Sequence, residues 1–268
     1  MRSLRGKTAV VTGAASGIGR ALAHRLARES MRLVLADVDR RALAQLSREL
    51  PGAMAVRTDV SRMADVEALA DEAYARFGAV HLLCNNAGIA AYGRVWEVPL
   101  ARWRRVVAVN LWGVIHGCLA FLPRMIAQRG PAHVVNTASM AGLVTPPLGG
   151  PYSASKHAVV AVSEALAQDL AGQGSAVGVS VLCPGWVATR LVESAPEAAP
   201  VLRSLVSRGI PPEEVAERTV RAVRQGEFYV LTHPEMAPAI RWRAKAILSG
   251  LAPAVAPLRR RRSRATSR

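Results

Sequence analysis

Cysteine is scarce in this sequence. Cys84, Cys118 and Cys183 each sit in an apolar run, and no CxxC pair occurs. A disulfide framework and a cysteine zinc cluster are therefore not expected, and the thiols should be reduced, buried small hydrophobes. Aromatic residues make up only 4% of the chain, so any core has to be aliphatic. Lysine is rarer still. Lys7, Lys156 and Lys245 are the only three, and every other basic residue is arginine. Acids are outnumbered, 19 against 35 basic residues, which gives a formal charge of +16. Nine of those charges fall in residues 241–268, which contain no acid. No nucleic-acid recognition motif accompanies them, so a nucleic-acid partner is not expected. No stretch reaches the roughly 18 uninterrupted apolar residues of a membrane span. The nearest, 106–122, is broken by Asn110 and His116 and reads as a helix buried on several sides. The first residues lack the apolar core and cleavage site of a signal peptide, which together with reduced thiols predicts a cytoplasmic protein.

What is present is a large aliphatic content, 51% hydrophobic against 20% charged residues over 268 positions, enough for a sizeable core. Short β-rich runs at 8–11, 32–36, 53–58, 80–84, 133–136, 178–182 and 228–231 alternate with helical patterns near 18–29, 40–49, 62–77, 100–128, 153–171 and 212–225. The runs are continuous rather than alternating, as strands covered on both faces should be. The expected fold is α/β, a single Rossmann domain over 1–250 with a doubly wound parallel sheet of about seven strands and helices on both faces. Residues 189–210, with Pro196 and Pro200, read as a lid. Residues 251–268, with Pro253, Pro257 and the run Arg259 to Arg262, read as a disordered basic tail. Weak contact of that tail with an anionic membrane surface is the alternative to a fully solvated end.

The first strand runs into Thr12-Gly13-Ala14-Ala15-Ser16-Gly17-Ile18-Gly19 and then a helix. Glycines there let the backbone turn tightly and approach a pyrophosphate, and the helix N-terminus offers unpaired N–H groups to it. Asp37 ends the second strand about 20 residues later, the spacing of an acid that binds ribose hydroxyls. A carboxylate there repels a 2′-phosphate, which favours NAD over NADP. Asp59 and Val60 follow the third strand, where they would meet an adenine ring; a helix N-cap Asp is the plainer alternative.

Tyr152-Ser153-Ala154-Ser155-Lys156 opens a helix, and a spacing of four puts Tyr152 and Lys156 on one face. A phenol with a pKa near 10 is a poor base, and an adjacent ammonium should lower that value. Tyr152 could then exchange a proton with an alcohol as hydride leaves its carbon. Ser139, after a β-rich run, could hold the substrate oxygen. Asn110, an amide inside an apolar helix, could hold a water linking Lys156 to solvent, or could pin a helix kink.

These features, with Asn85-Asn86-Ala87-Gly88 and Pro184-Gly185-Trp186-Val187-Ala188-Thr189, resemble the short-chain dehydrogenase/reductase family in order and spacing across most of residues 6–190. The resemblance implies a catalytic tetrad of Asn110, Ser139, Tyr152 and Lys156, with Lys156 also on the nicotinamide ribose. It implies a dinucleotide held by Gly13, Ser16, Gly17, Ile18, Gly19, Asp37, Asp59 and Val60. Asn86, Ala87 and Gly88 would line the adenosine side, and Pro184, Gly185, Val187 and Thr189 the nicotinamide end. It further implies a homodimer or homotetramer formed through the helices near 100–128 and 153–171. Cys84 stands where the family usually has an aliphatic residue, a neutral exchange. The implied activity is NAD-dependent interconversion of a small-molecule alcohol and ketone. Apolar residues such as Leu143, Val144, Pro146, Leu148, Leu191 and Leu202 in the expected pocket suggest a lipophilic substrate. Two alternatives are a 3-oxoacyl thioester reductase using NADPH, which Asp37 disfavours, and a non-enzymatic nucleotide-binding scaffold or tail-tethered interaction protein, which has no need of an intact tetrad.

Overall fold

The computed structural model describes residues 1, 3–195 and 200–253. Strands and helices alternate from the start: β1 (Thr8–Thr12), α1 (Gly17–Arg28), β2 (Arg32–Asp37), α2 (Arg40–Glu49), β3 (Met54–Arg57), α3 (Met63–Phe77) and β4 (Leu82–Asn85). A long helix follows in two α parts, α4 (Leu100–Val107) and α5 (Gly113–Ala127), joined by a π turn at Ala108–Trp112. Then come β5 (Ala132–Thr137), α6 (Gly150–Gly172), β6 (Val177–Cys183), α7 (Pro200–Ser207), α8 (Pro212–Gln225), β7 (Tyr229–Leu231) and α9 (Ala237–Leu248).

All seven strands lie parallel in one sheet, in the order β3-β2-β1-β4-β5-β6-β7. Both faces are covered, which is why the strands are apolar throughout. Ala9, Val11, Leu33, Leu35, Leu82 and Cys84 face α1, α2 and α8, whereas Val10, Val34, Ala36 and Leu83 face α3, α5 and α6. Leu22 and Leu26 of α1 and Phe121 and Met125 of α5 are fully enclosed in these two layers. The helix Leu100–Ala127 has the length and composition to cross a membrane, yet Val109, Asn110, Val114, Phe121 and Met125 along it are buried within the fold.

The sheet order reverses direction beside β1. The chain leaves β1 toward β2 on one side and returns to β4 on the other, so the loops after β1 and β4 part and leave a crevice at the strand C-termini. Ligands of open α/β sheets bind at such a switch point.

Two stretches differ from the sequence reading. The expected lid contains a short 3-10 turn, Arg190–Ser194, and helix α7, while residues 196–199 with Pro196 lie outside the described residues. Helix α9 was not expected from the pattern; Pro238 is accommodated in its first turn, where a proline displaces no intrahelical bond. Of the basic tail, residues 254–268 lie outside the described residues.

Candidate active site

The crevice is a cleft of about 980 Å³ running across the C-terminal edge of β1, β4, β5 and β6. Of the expected cofactor residues, Gly13, Ser16, Gly17, Ile18, Asp37, Asp59, Val60, Asn86, Ala87, Gly88, Pro184, Gly185, Val187 and Thr189 line it, together with Ser139, Tyr152 and Lys156. Gly19 and Asn110 stand behind its wall. A side chain at Gly19 would collide with the Gly13 carbonyl, its Cβ falling 2.0 Å from that oxygen, so this glycine serves helix–strand packing.

The turn after β1 is built by backbone geometry that only glycine tolerates well. Gly13 has φ +62° and Gly17 φ +50°. A Cβ at Gly13 would also lie 2.7 Å from the Ala87 Cα, so the β1 and β4 loops touch there. Helix α1 then begins with no side-chain cap, because the Ser16 hydroxyl makes no capping bond. Its first-turn N–H groups are left to the cleft, a fitting seat for a pyrophosphate. Thr189 crosses above, 3.1 Å from the place a Gly17 Cβ would occupy.

Asp37 is held from both sides. The Ala15 amide donates to its Oδ2 at 2.9 Å and the Asp39 amide to its Oδ1 at 3.0 Å. The carboxylate is thus fixed in the cleft wall with lone pairs left over for a diol. Val38 and Asp39 complete this corner; Arg40 and Arg41 belong to the exposed first turn of α2, which Asp39 caps. The residues present fit a dinucleotide whose ribose carries free hydroxyls. Asp59 does line the cleft, but its Oδ1 accepts from the Ser61 amide at 3.0 Å and hydroxyl at 2.6 Å. Burial pushes the carboxyl toward a higher pKa, but the two Ser61 bonds, with Arg105 and Arg57 nearby, outweigh that and leave it below its usual range. It caps a turn before α3 rather than the helix itself.

Tyr152 and Lys156 lie one turn apart in α6, 8% and 3% exposed. The Lys156 Nζ donates to the Thr137 carbonyl at 2.7 Å and sits 5.8 Å from the Tyr152 ring centre. Burial pushes the ammonium down to about 8, against a smaller upward pull from Cys183. Burial also pushes the Tyr152 phenol above its ordinary value, opposed by the Ser139 hydroxyl. The expectation that the ammonium would bring the phenol down is therefore not met: desolvation of a buried phenolate dominates. Ser139 starts the 3-10 turn Met140–Gly142, where its Oγ accepts from the Ala141 amide at 3.1 Å and donates to the Pro184 carbonyl at 3.3 Å.

Asn110 occupies the π turn, a distortion the sequence signalled only as an amide in an apolar helix. Its Oδ1 accepts from the Ile89 amide at 2.9 Å, and its Nδ2 donates to the Ile89 carbonyl at 2.9 Å and the Ser155 Oγ at 3.0 Å. Ser155 in turn donates to the Tyr152 carbonyl at 2.7 Å. The amide thus staples the loop after β4 to the first turn of α6. One lone pair of Oδ1 remains. It and the Lys156 Nζ lie 3.4 and 3.5 Å from the point where Gly88 lacks a Cβ.

Three further residues take part to which the sequence reading gave no individual role. Thr12 accepts at Oγ1 from the amides of Asn86 (2.9 Å) and Ala87 (3.2 Å), tying β1 to β4. Thr137 supplies the carbonyl under Lys156. Tyr92 sets its ring 6.1 Å from that of Tyr152. Thr12 was visible as a hydroxyl ending an Ala–Val strand; the other two act through long-range contacts that leave no local mark.

The sequence pattern of the short chain dehydrogenase family matches residues 7–200. A short chain dehydrogenase/reductase from Burkholderia phymatum, solved in complex with NAD, is 44% identical with a TM-score of 0.91, covering 95% of this chain and 98% of its own. The 1-deoxy-11-beta-hydroxypentalenate dehydrogenase of Streptomyces exfoliatus is 42% identical over 87% of this chain and 85% of its own length. The C alpha-dehydrogenase of Sphingobium sp. strain SYK-6 is 31% identical over 94% of this chain and 89% of its own. The chain belongs to the short-chain dehydrogenase/reductase family and is an oxidoreductase of that family.

Proposed function

We propose that this protein interconverts a lipophilic secondary alcohol and its ketone with NAD, Tyr152 serving as general acid and base. The observation that carries the reading is the meeting of Tyr152, Ser139 and a buried Lys156 in one cleft whose far corner holds Asp37. When bound, the nicotinamide accepts or supplies the hydride. Ser139 would hold the substrate oxygen, and Tyr152 would take the alcohol proton or return it. Lys156 would bind the nicotinamide ribose, and a water at the Gly88 gap would connect its ammonium to Asn110. Gly13, Ser16, Gly17 and Ile18 would seat the pyrophosphate, with Gly19 supporting the turn. Asn86, Ala87, Asp59 and Val60 would line the adenosine side. Pro184, Gly185, Val187 and Thr189 would line the nicotinamide end. The relative solved with NAD supports the choice of cofactor, and Asp37 argues against a 2′-phosphate.

Beyond the tetrad the cleft is walled by Tyr92, Val144, Pro146, Leu148, Leu191 and Leu202, so the substrate body should be apolar. A panel of secondary alcohols and ketones, followed at the reduced cofactor's absorbance with NAD and NADP in parallel, tests the reading. Turnover with NAD that Tyr152→Phe abolishes, with NADH binding retained, is the expected result. Turnover that survives Tyr152→Phe, or tighter binding of NADPH than NADH, would sink it.

The same family reading carries a homo-oligomer. Trp112, Leu119 and Ile126, each about two helical turns from the next from the end of the π turn along α5, are 49%, 59% and 36% exposed, an apolar stripe suited to a second copy.

A further inference from the structure

The segment after β6 has to place Pro184 against Ser139 and carry Val187 and Thr189 along the cleft, yet it belongs to neither strand nor helix. Its backbone is held from the far side by a residue of the next strand's exit. His233, just past β7, is 6% exposed. Its Nδ1 accepts from the Gly185 amide at 3.1 Å, with the Thr232 hydroxyl 2.8 Å away on the same nitrogen. Its Nε2 lies 3.0 Å from the Trp186 carbonyl. A carbonyl can only accept and an amide N–H can only donate, so the neighbours fix the neutral Nε2–H tautomer.

The contact is close-fitting as well as polar. A Cβ at Gly185 would lie 2.7 Å from the imidazole Cγ and 2.9 Å from the Met236 Sδ, so the ring lies directly against this backbone. The Trp186 carbonyl also receives the Ile210 amide at 3.0 Å, and the Ile210 carbonyl accepts from Ala188 at 3.0 Å. The Pro184 carbonyl receives the Met140 amide at 2.8 Å besides the Ser139 hydroxyl. One imidazole therefore clamps the centre of a segment whose start orients Ser139 and whose end meets the base of the lid. Gly185, Trp186 and Met236 line the cleft, while His233 is set behind them.

We propose that His233 is a positioning residue: it holds the Gly185-Trp186 backbone in register and so sets where the nicotinamide end of the cofactor and the Ser139 hydroxyl meet. The proposal rests on the reading of the cleft given above. Its test uses the full chain with His233→Ala, His233→Asn, which keeps an acceptor near the Nδ1 position, and His233→Gln, which keeps a donor near the Nε2 position. NADH affinity by fluorescence, KM for NAD, kcat and melting temperature are measured below every variant's melting point. His233→Ala should weaken NADH binding and raise the KM for NAD about tenfold, as loss of placement does, and Asn or Gln should recover part of that loss. NADH affinity, KM and kcat all within twofold of wild type in His233→Ala, with only the melting temperature lowered, would overturn the proposal. So would Asn and Gln variants both as impaired as Ala. Should His233→Ala fail to fold, wild-type values in both conservative variants would overturn it equally. A wild-type protein that binds NADH but turns over no alcohol would defeat the reading of the reaction, whereas NADH affinity would still report on His233.

Discussion

Burial acts in opposite senses on the two groups of the site. It makes the Tyr152 phenol harder to ionise and the Lys156 ammonium easier to discharge, because in both cases the charged form loses water. The Ser139 hydroxyl is the group that works against this at Tyr152. On the proposed mechanism the Tyr152 phenolate is the base in alcohol oxidation, so kcat/KM should rise with pH as Tyr152 ionises. Ser139→Ala removes the opposing bond and should move that rising limb to higher pH, besides lowering the rate; a pH–rate profile of the variant checks the direction. Lys156 carries a stability consequence. Its folded value of about 8 lies below the ordinary 10.5. Below pH 8 the ammonium is charged in both states and the folded protein bears the full cost. That cost is relieved as pH rises from about 8 to 10.5, where the unfolded chain binds the extra proton. Lys156→Met should therefore flatten the rise in stability between about pH 8 and 10.5 in urea unfolding of the cofactor-free protein, while abolishing turnover.

At the level of elements, the long helix bends its hydrogen-bond pattern around Asn110, and π turns of this kind recur at functional sites. The amide's three bonds join the loop after β4, the π turn and α6. Asn110→Leu would orphan the Ile89 amide and carbonyl together. The expected loss is about 2–3 kcal/mol in denaturant unfolding, accompanied by slower turnover. Element existence was legible because strands covered on both faces read as continuous apolar runs and helices as 3.6-residue periods. Boundaries drifted by two or three residues: β4 begins at Leu82 rather than at Val80, and α6 begins at Gly150 rather than near 153, so Tyr152 lies inside its first turn. Helix α9 was missed because only Ala246 along it is buried, which leaves little apolar period to detect.

For the whole molecule, the exposed stripe of Trp112, Leu119 and Ile126 predicts self-association through the long helix. Trp112→Lys with Leu119→Lys should shift the mass seen by light scattering toward the monomer. An unchanged mass would place the interface elsewhere.

Much of the protein could be read from local order alone. The alternation of strands and helices, the glycine turn, Asp37 at a strand end and the four-residue spacing of Tyr152 and Lys156 are all short-range patterns, and short-range sterics and periodicity enforce them. The fold decided what depends on surfaces far apart in the chain coming together. The strand order opens the crevice beside β1; Thr12 meets Asn86 and Ala87; Thr137 meets Lys156; and His233 meets Gly185 across 48 residues of sequence. The direction of the Tyr152 shift belongs there too. Spacing can bring an ammonium near a phenol, but only the packed interior removes the water whose loss outweighs it.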